Sequence, residues 1–157
     1  MLLSYIDRFI KYLKVKKFMA KIAIILLLIS LGLLIIYGID VMVASQSETD
    51  AVTGEGGQGF LPLNEAVRGS IFGGGAVALS IIGFALGRKE PNRTIPILLF
   101  INGGLIILGL FILMAVNNFK IDQNTMRTIG STMLLGGILI GLGIAKIVID
   151  KKKLSSK

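Results

Sequence analysis

Four stretches of this chain contain no charged residue: 22–39, 70–87, 94–116 and 128–145, each 18 to 23 residues long. A helix rises about 1.5 Å per residue, so even the shortest reaches roughly 27 Å, close to the thickness of a bilayer's hydrocarbon core. A backbone at that depth must satisfy its polar groups internally, and a helix does so within one segment. The expected fold is an all-α membrane protein of four transmembrane helices, assigned to 20–44, 66–87, 94–116 and 126–148. These spans and their connections use nearly all of the 157 residues, which leaves a single membrane domain over 1–157 and no soluble core.

The charges around the spans set an orientation. Residues 1–21 hold six basic residues (Arg8, Lys11, Lys14, Lys16, Lys17, Lys21), whereas the 45–65 connection carries Glu48, Asp50, Glu55 and Glu65. Arg88, Lys89 and Arg93 lie in the second connection, and Lys146 opens a basic end that continues as the tail 149–157. Fourteen of the seventeen basic residues thus fall on one side, which the positive-inside rule reads as cytoplasmic. The expectation is a multi-pass protein of the cell membrane with N- and C-termini in the cytoplasm and its basic side against anionic lipid headgroups. A cleaved signal peptide competes for the N-terminus, with Ala44-Ser45 resembling a cleavage site. The apolar run exceeds a signal's usual span of about 7 to 15 residues, so a retained first span is preferred. The Asn92-Arg93-Thr94 sequon lies on the inner side and reads as an unmodified turn.

Ahead of the first span, Leu2, Leu3, Ile6, Phe9, Ile10 and Leu13 recur at helical spacing, opposite Ser4, Asp7, Arg8, Lys11 and Lys14. An N-terminal amphipathic interfacial helix over 1–18 follows. The same face, through Ile6, Phe9 and Leu13, alternatively docks a partner subunit. The outer 45–65 loop is acidic and glycine-rich, expensive to order on its own. Its apolar patch of Phe60, Leu61 and Leu63 suits either the interface or a partner's groove.

Within the spans, small residues carry the pattern. Gly69, Gly73, Ala76, Ser80, Gly83 and Gly87 follow alternating steps of four and three, which places them along one helix face. Lipid supplies no hydrophobic drive for helix association, so a seam without bulk lets a second backbone approach within dispersion range. Gly137, Gly141 and Ala145 in the fourth span are the expected intramolecular mates; contact with another chain is the other reading. Asn102 is the most polar side chain near the middle of a span, suited to an interhelical hydrogen bond or, alternatively, to a ligand or proton path. Asp40 and Arg68 lie at the outer ends of adjacent spans, placed either for a boundary ion pair or for separate contact with headgroup water.

Composition restricts the chemistry. The chain has no cysteine, histidine or tryptophan, so the usual ligands of copper, zinc and iron–sulfur clusters are missing and no metal or cofactor is expected. No catalytic serine, histidine and aspartate set can be assembled, and no acid or base lies at mid-membrane depth, where ion-coupled transporters and voltage sensors need one. The net charge of +8 sits beside the spans without aromatic stacking platforms, which argues against nucleic acid. The expected role is therefore not an enzyme but a non-catalytic accessory subunit packed among larger membrane-protein subunits. The alternative is a small four-helix transporter or channel acting as a homo-oligomer.

The start MLLSYIDRFIKYLKVKKF, the stretch GFALGRKEPNRTIPILLFINGG and the isoleucine-rich spans resemble small membrane proteins of ammonia-oxidising archaea. Accessory subunits of the archaeal ammonia monooxygenase, a copper membrane enzyme, are of this kind. The resemblance implies copper ligands on other subunits and assigns no site residue in this chain.

Overall fold

In the computed structural model, the residues described are 2–47, 61, 67, 69–116 and 123–155. Phe60, Leu63 and Arg68 lie outside them, as do most of the 45–65 loop and the 117–122 connection. For Ile6, Phe9 and Leu13 the helical backbone is described but not the side chains. The described elements are helical throughout: α1 (Leu2–Ser47), a π-helical segment (Gly69–Gly74) that leads into α2 (Gly75–Gly87), α3 (Thr94–Val116) and α4 (Gln123–Ser155).

Four of these helical stretches, Phe18–Val43, Gly69–Gly87, Thr94–Ile112 and Ile129–Ser155, are long and apolar enough to cross a membrane. The architecture is that of a multi-pass membrane protein.

The N-terminal helix differs from expectation. No Gly, Pro or Asn occurs between Leu2 and Ser30, and nothing local interrupts the backbone there. The helix accordingly runs unbroken for 46 residues, about 69 Å at 1.5 Å per residue. The boundary expected between an interfacial helix at 1–18 and a first span at 20–44 is absent from the backbone. The end of the chain differs in the same way, since α4 continues to Ser155 and the expected tail is largely its last two turns.

Chain numbering and contacts define the bundle. Ala23 meets the α2 backbone at Gly87, Ser30 meets Ser80, and Tyr37 meets Gly73. Rising numbers on α1 thus pair with falling numbers on α2, which makes the pair antiparallel, and the three levels are seven residues apart on both helices. On α3, Ile95 belongs to the first level and Asn102 to the second. Helix α1 packs extensively against both α2 and α3, while α4 packs on α3 and touches α2 only lightly. Ala23, Leu27, Val77, Ile95, Leu98, Leu99 and Leu139 form the buried core, drawn from all four helices.

The small-residue seam of α2 faces α1, not α4. A Cβ built on Gly83 would lie 3.0 Å from Leu27 Cγ and 3.1 Å from the Ala23 carbonyl oxygen. One built on Gly87 would collide with Ile95 Cδ1 and stand 3.3 Å from Ala23 Cβ. Ala76 and Ser80, about two turns and one turn before Gly83 on the same face, are fully buried. Around Gly69 and Gly73 the seam is looser, with a Cβ 3.5 Å from Tyr37 Oη and 3.8 Å from Tyr37 Cε1. The missing side chains there leave room for the tyrosine ring, beside the glycine-rich π turns.

The expected mates on α4 are displaced by one residue. Nothing stands within 4 Å of a Cβ built on Gly137 or Gly141, and both are exposed; Ala145 is half-buried. Instead Gly136, Leu139, Gly143 and Lys146 form the buried stripe, again in steps of three and four. Gly136 meets Gly103 of α3, and a Cβ built on Gly143 would stand 3.3 Å from the Phe100 ring. Both stripes carry glycines at helical spacing, and only the one facing α3 permits its close approach.

Candidate functional site

Polar side chains gather at three places, one at mid-bundle and one at each end. At mid-bundle, Ser30 of α1, Ser80 of α2 and Asn102 of α3 are all fully buried. The Ser30 hydroxyl donates to the Ala76 carbonyl at 2.7 Å, which leaves its oxygen to accept from Ser80 at 2.8 Å. Asn102 Nδ2 donates into the same layer, at 3.1 Å from both serine oxygens and 3.3 Å from the Leu27 carbonyl. Three helices are thereby tied by neutral hydrogen bonds, with Ser30 as the hub. Asn102 Oδ1 is buried and accepts no hydrogen bond.

This layer ties helix register. Its groups are two hydroxyls, an amide and two carbonyls, and neither serine contacts a base that would activate it. Ser30→Ala removes the link to Ala76 and both of the bonds the hub accepts. It is expected to lower stability by about 1–2 kcal/mol, whereas Ser80→Ala, which leaves Ser30 bonded to Ala76, costs less. Thermal unfolding in detergent checks this, and equal losses would mean that Ser30 is no hub.

At one end, Asp40 is fully buried and its Oδ1 accepts the Leu61 N–H at 2.9 Å. A carboxylate in α1 thus holds a point of the following connection against the bundle. The sequence offered Asp40 either an ion pair with Arg68, which lies outside the described residues, or headgroup water; the Leu61 backbone gave no sequence signal. Of the apolar patch, only Leu61 is described, and it is half-buried.

At the other end, α4 grips the connection between α2 and α3. Lys146 has no exposed side-chain surface; its Nζ lies 2.5 Å from Asp150 Oδ1 and 2.5 Å from the Glu90 carbonyl oxygen. Asp150 Oδ2 accepts the Asn92 N–H at 3.2 Å. One turn farther on, Lys153 donates to the carbonyls of Arg88 at 3.1 Å and Lys89 at 2.9 Å. Lys146, Asp150 and Lys153 continue the buried α4 stripe in steps of four and three, so one helix face holds the whole connection. Asn92 then caps α3, its Oδ1 accepting the Thr94 N–H at 2.9 Å.

No family model matches this chain, and no similar protein was found among curated proteins or solved structures. Its chemistry has to be read from its own residues. Among the described residues no group of three or more aspartates, glutamates, histidines or cysteines is placed to hold a metal ion. A shallow apolar depression on the exposed face of α4, lined by Gly130, Met133, Leu134, Gly137 and Ile138, presents no polar side chain.

Proposed function

We propose that this protein is a non-catalytic accessory subunit that stabilises or assembles a multisubunit membrane enzyme. The observation that carries the reading is the packing inside the described bundle: apolar side chains and a neutral hydrogen-bonded layer occupy it, and the fully buried Asp40 and Lys146 lie at its two ends. Helix surfaces are what such a chain offers to partners. Exposed apolar residues such as Leu108, Phe111, Leu134 and Val148 cover the outside of α3 and α4, suited to lipid or to neighbouring membrane subunits.

The parent complex we propose is of the ammonia monooxygenase kind, on the strength of the two sequence stretches that resemble small proteins of ammonia-oxidising archaea. Copper then belongs to other subunits. Purification from native membranes in mild detergent, followed by mass spectrometry, tests both levels. An accessory subunit copurifies at fixed stoichiometry with larger membrane chains. Recovery as a pure homo-oligomer that moves a solute across liposome membranes would establish the small transporter instead.

The proposed orientation places both termini and the 88–93 connection in the cytoplasm of a cell-membrane protein, supported by the distribution of basic residues. Because the chain has no cysteine, single cysteines at Ser47, Lys89 and Ser155 report sidedness to an impermeant thiol reagent in intact cells. Ser47→Cys is expected to label and the other two to remain protected. The reverse pattern would invert the topology.

A further inference from the structure

We propose that the end of the bundle built from the 88–93 connection and the last turns of α4 binds the phosphate of an anionic phospholipid headgroup. Four exposed cations, one on α1 and three in the connection, lie at the same level there. Ala23, Gly87 and Ile95 meet in one layer of the bundle. Lys21 lies two residues before that layer on α1, Arg88 and Lys89 follow Gly87 in the connection, and Arg93 comes at the end of the connection just before α3, so all four stand within about one helical turn of the same level. All are exposed.

Lys153 adds a further cation. Its Nζ rests on the carbonyls of Arg88 and Lys89, and Lys146 Nζ rests on the next carbonyl, that of Glu90. Two ammonium groups of α4 are thus held against the backbone of three consecutive residues, two of which are themselves basic. Asp150 does not neutralise this cluster as a whole: one oxygen pairs with Lys146 and the other accepts the Asn92 amide. Glu90 is the other described acid in this region. Cations crowded in this way repel one another, and a bound anion relieves the repulsion.

The site's level identifies the source of that anion. The apolar stretches Gly69–Gly87 and Thr94–Ile112 end where the cluster begins, so an anion there sits at headgroup height while its acyl chains lie along apolar helix surfaces. Arginine supplies a planar fork suited to phosphate oxygens, and the lysines supply point charge. The connection is already fixed by Lys146, Asp150 and Lys153, so little ordering accompanies binding.

The test uses the full chain released from membranes containing equal amounts of phosphatidylglycerol and phosphatidylcholine, with retained lipid read by native mass spectrometry. Retention of phosphatidylglycerol over phosphatidylcholine is expected. Arg88→Gln/Lys89→Gln keeps the carbonyls that hold α4 but removes two headgroup contacts, and it should lower that retention at least about fivefold. Lys151→Gln/Lys152→Gln makes the same change in net charge off the gripping face and should lower it much less. Unfolding in phosphatidylcholine alone verifies that both variants remain folded. Equal retention of the two lipids, or equal losses in the two variants, would overturn the site. Displacement of the lipid by millimolar inorganic phosphate would also overturn the proposal, since the site would then take a free anion.

Discussion

Asp150→Ala is expected to lower the stability of the bundle by about 3–5 kcal/mol, the usual consequence of stripping one partner from a buried ion pair. The Lys146 side chain has no exposed surface, and Asp150 stands 2.5 Å from its Nζ. Without the carboxylate, that charge keeps only the Glu90 carbonyl, and the Asn92 N–H that fixes the start of α3 loses its acceptor. Lys146→Met is expected to be milder, because Asp150 is 14% exposed and retains the Asn92 contact while the thioether fills the vacated space. The double variant Lys146→Met/Asp150→Ala should be more stable than Asp150→Ala alone, since the unpaired ammonium goes with the lysine. Thermal and denaturant unfolding in a neutral detergent gives all three values. If Asp150→Ala proved no worse than Lys146→Met, the buried pair would not be what holds α4 to the connection.

Gly103→Ala and Gly136→Ala are each expected to cost about 1–3 kcal/mol, the range for overpacking a closely fitted interior. A Cβ at 103 would lie 2.8 Å from the Gly136 carbonyl oxygen and 2.9 Å from Ile140 Cγ1; at 136 it would lie 2.8 Å from Ile107 Cγ1 and 3.1 Å from the Gly103 oxygen. A backbone carbonyl in a helix cannot swing aside, so α3 and α4 must separate to admit either methyl group. Gly83 faces a similar barrier in the Ala23 oxygen at 3.1 Å, whereas Gly73 has only Tyr37 at 3.8 Å, so Gly83→Leu should destabilise more than Gly73→Leu. The controls are Gly137→Ala and Gly141→Ala, where a Cβ meets nothing within 4 Å. There alanine's better helix propensity should leave stability unchanged or raise it by up to about 1 kcal/mol. Matching unfolding temperatures for Gly103→Ala and Gly141→Ala would refute the close α3–α4 contact.

The end of the bundle shows what local chemistry conceals. Lys146 reads in the sequence as the opening of a basic end, and Asn92 as part of an unmodified sequon. In the fold they are joined through Asp150, one as a buried cation and the other as the cap of α3. The signal was present in weak form: Lys146, Asp150 and Lys153 share a helix face with Gly143 and Leu139. It becomes meaningful only once that face is known to be the inner one.

The number of long apolar helices and the basic asymmetry were determined by the sequence alone, because each depends on a local property: an uncharged run of sufficient length, or a cluster of charge beside it. The small-residue face of α2 was legible for the same reason. Tertiary structure alone decided that this face meets α1 and that α4 turns Gly136 and Gly143 inward instead of Gly137 and Gly141. It also decided that Ser30 serves as the hub beneath Asn102. In a soluble helix the contrast between apolar and polar faces identifies the buried side. A helix apolar all around has no such contrast, and lipid on one side is as apolar as the neighbouring helix on the other. Which of two equivalent glycine stripes is buried is therefore settled by shape complementarity between helices far apart in the chain.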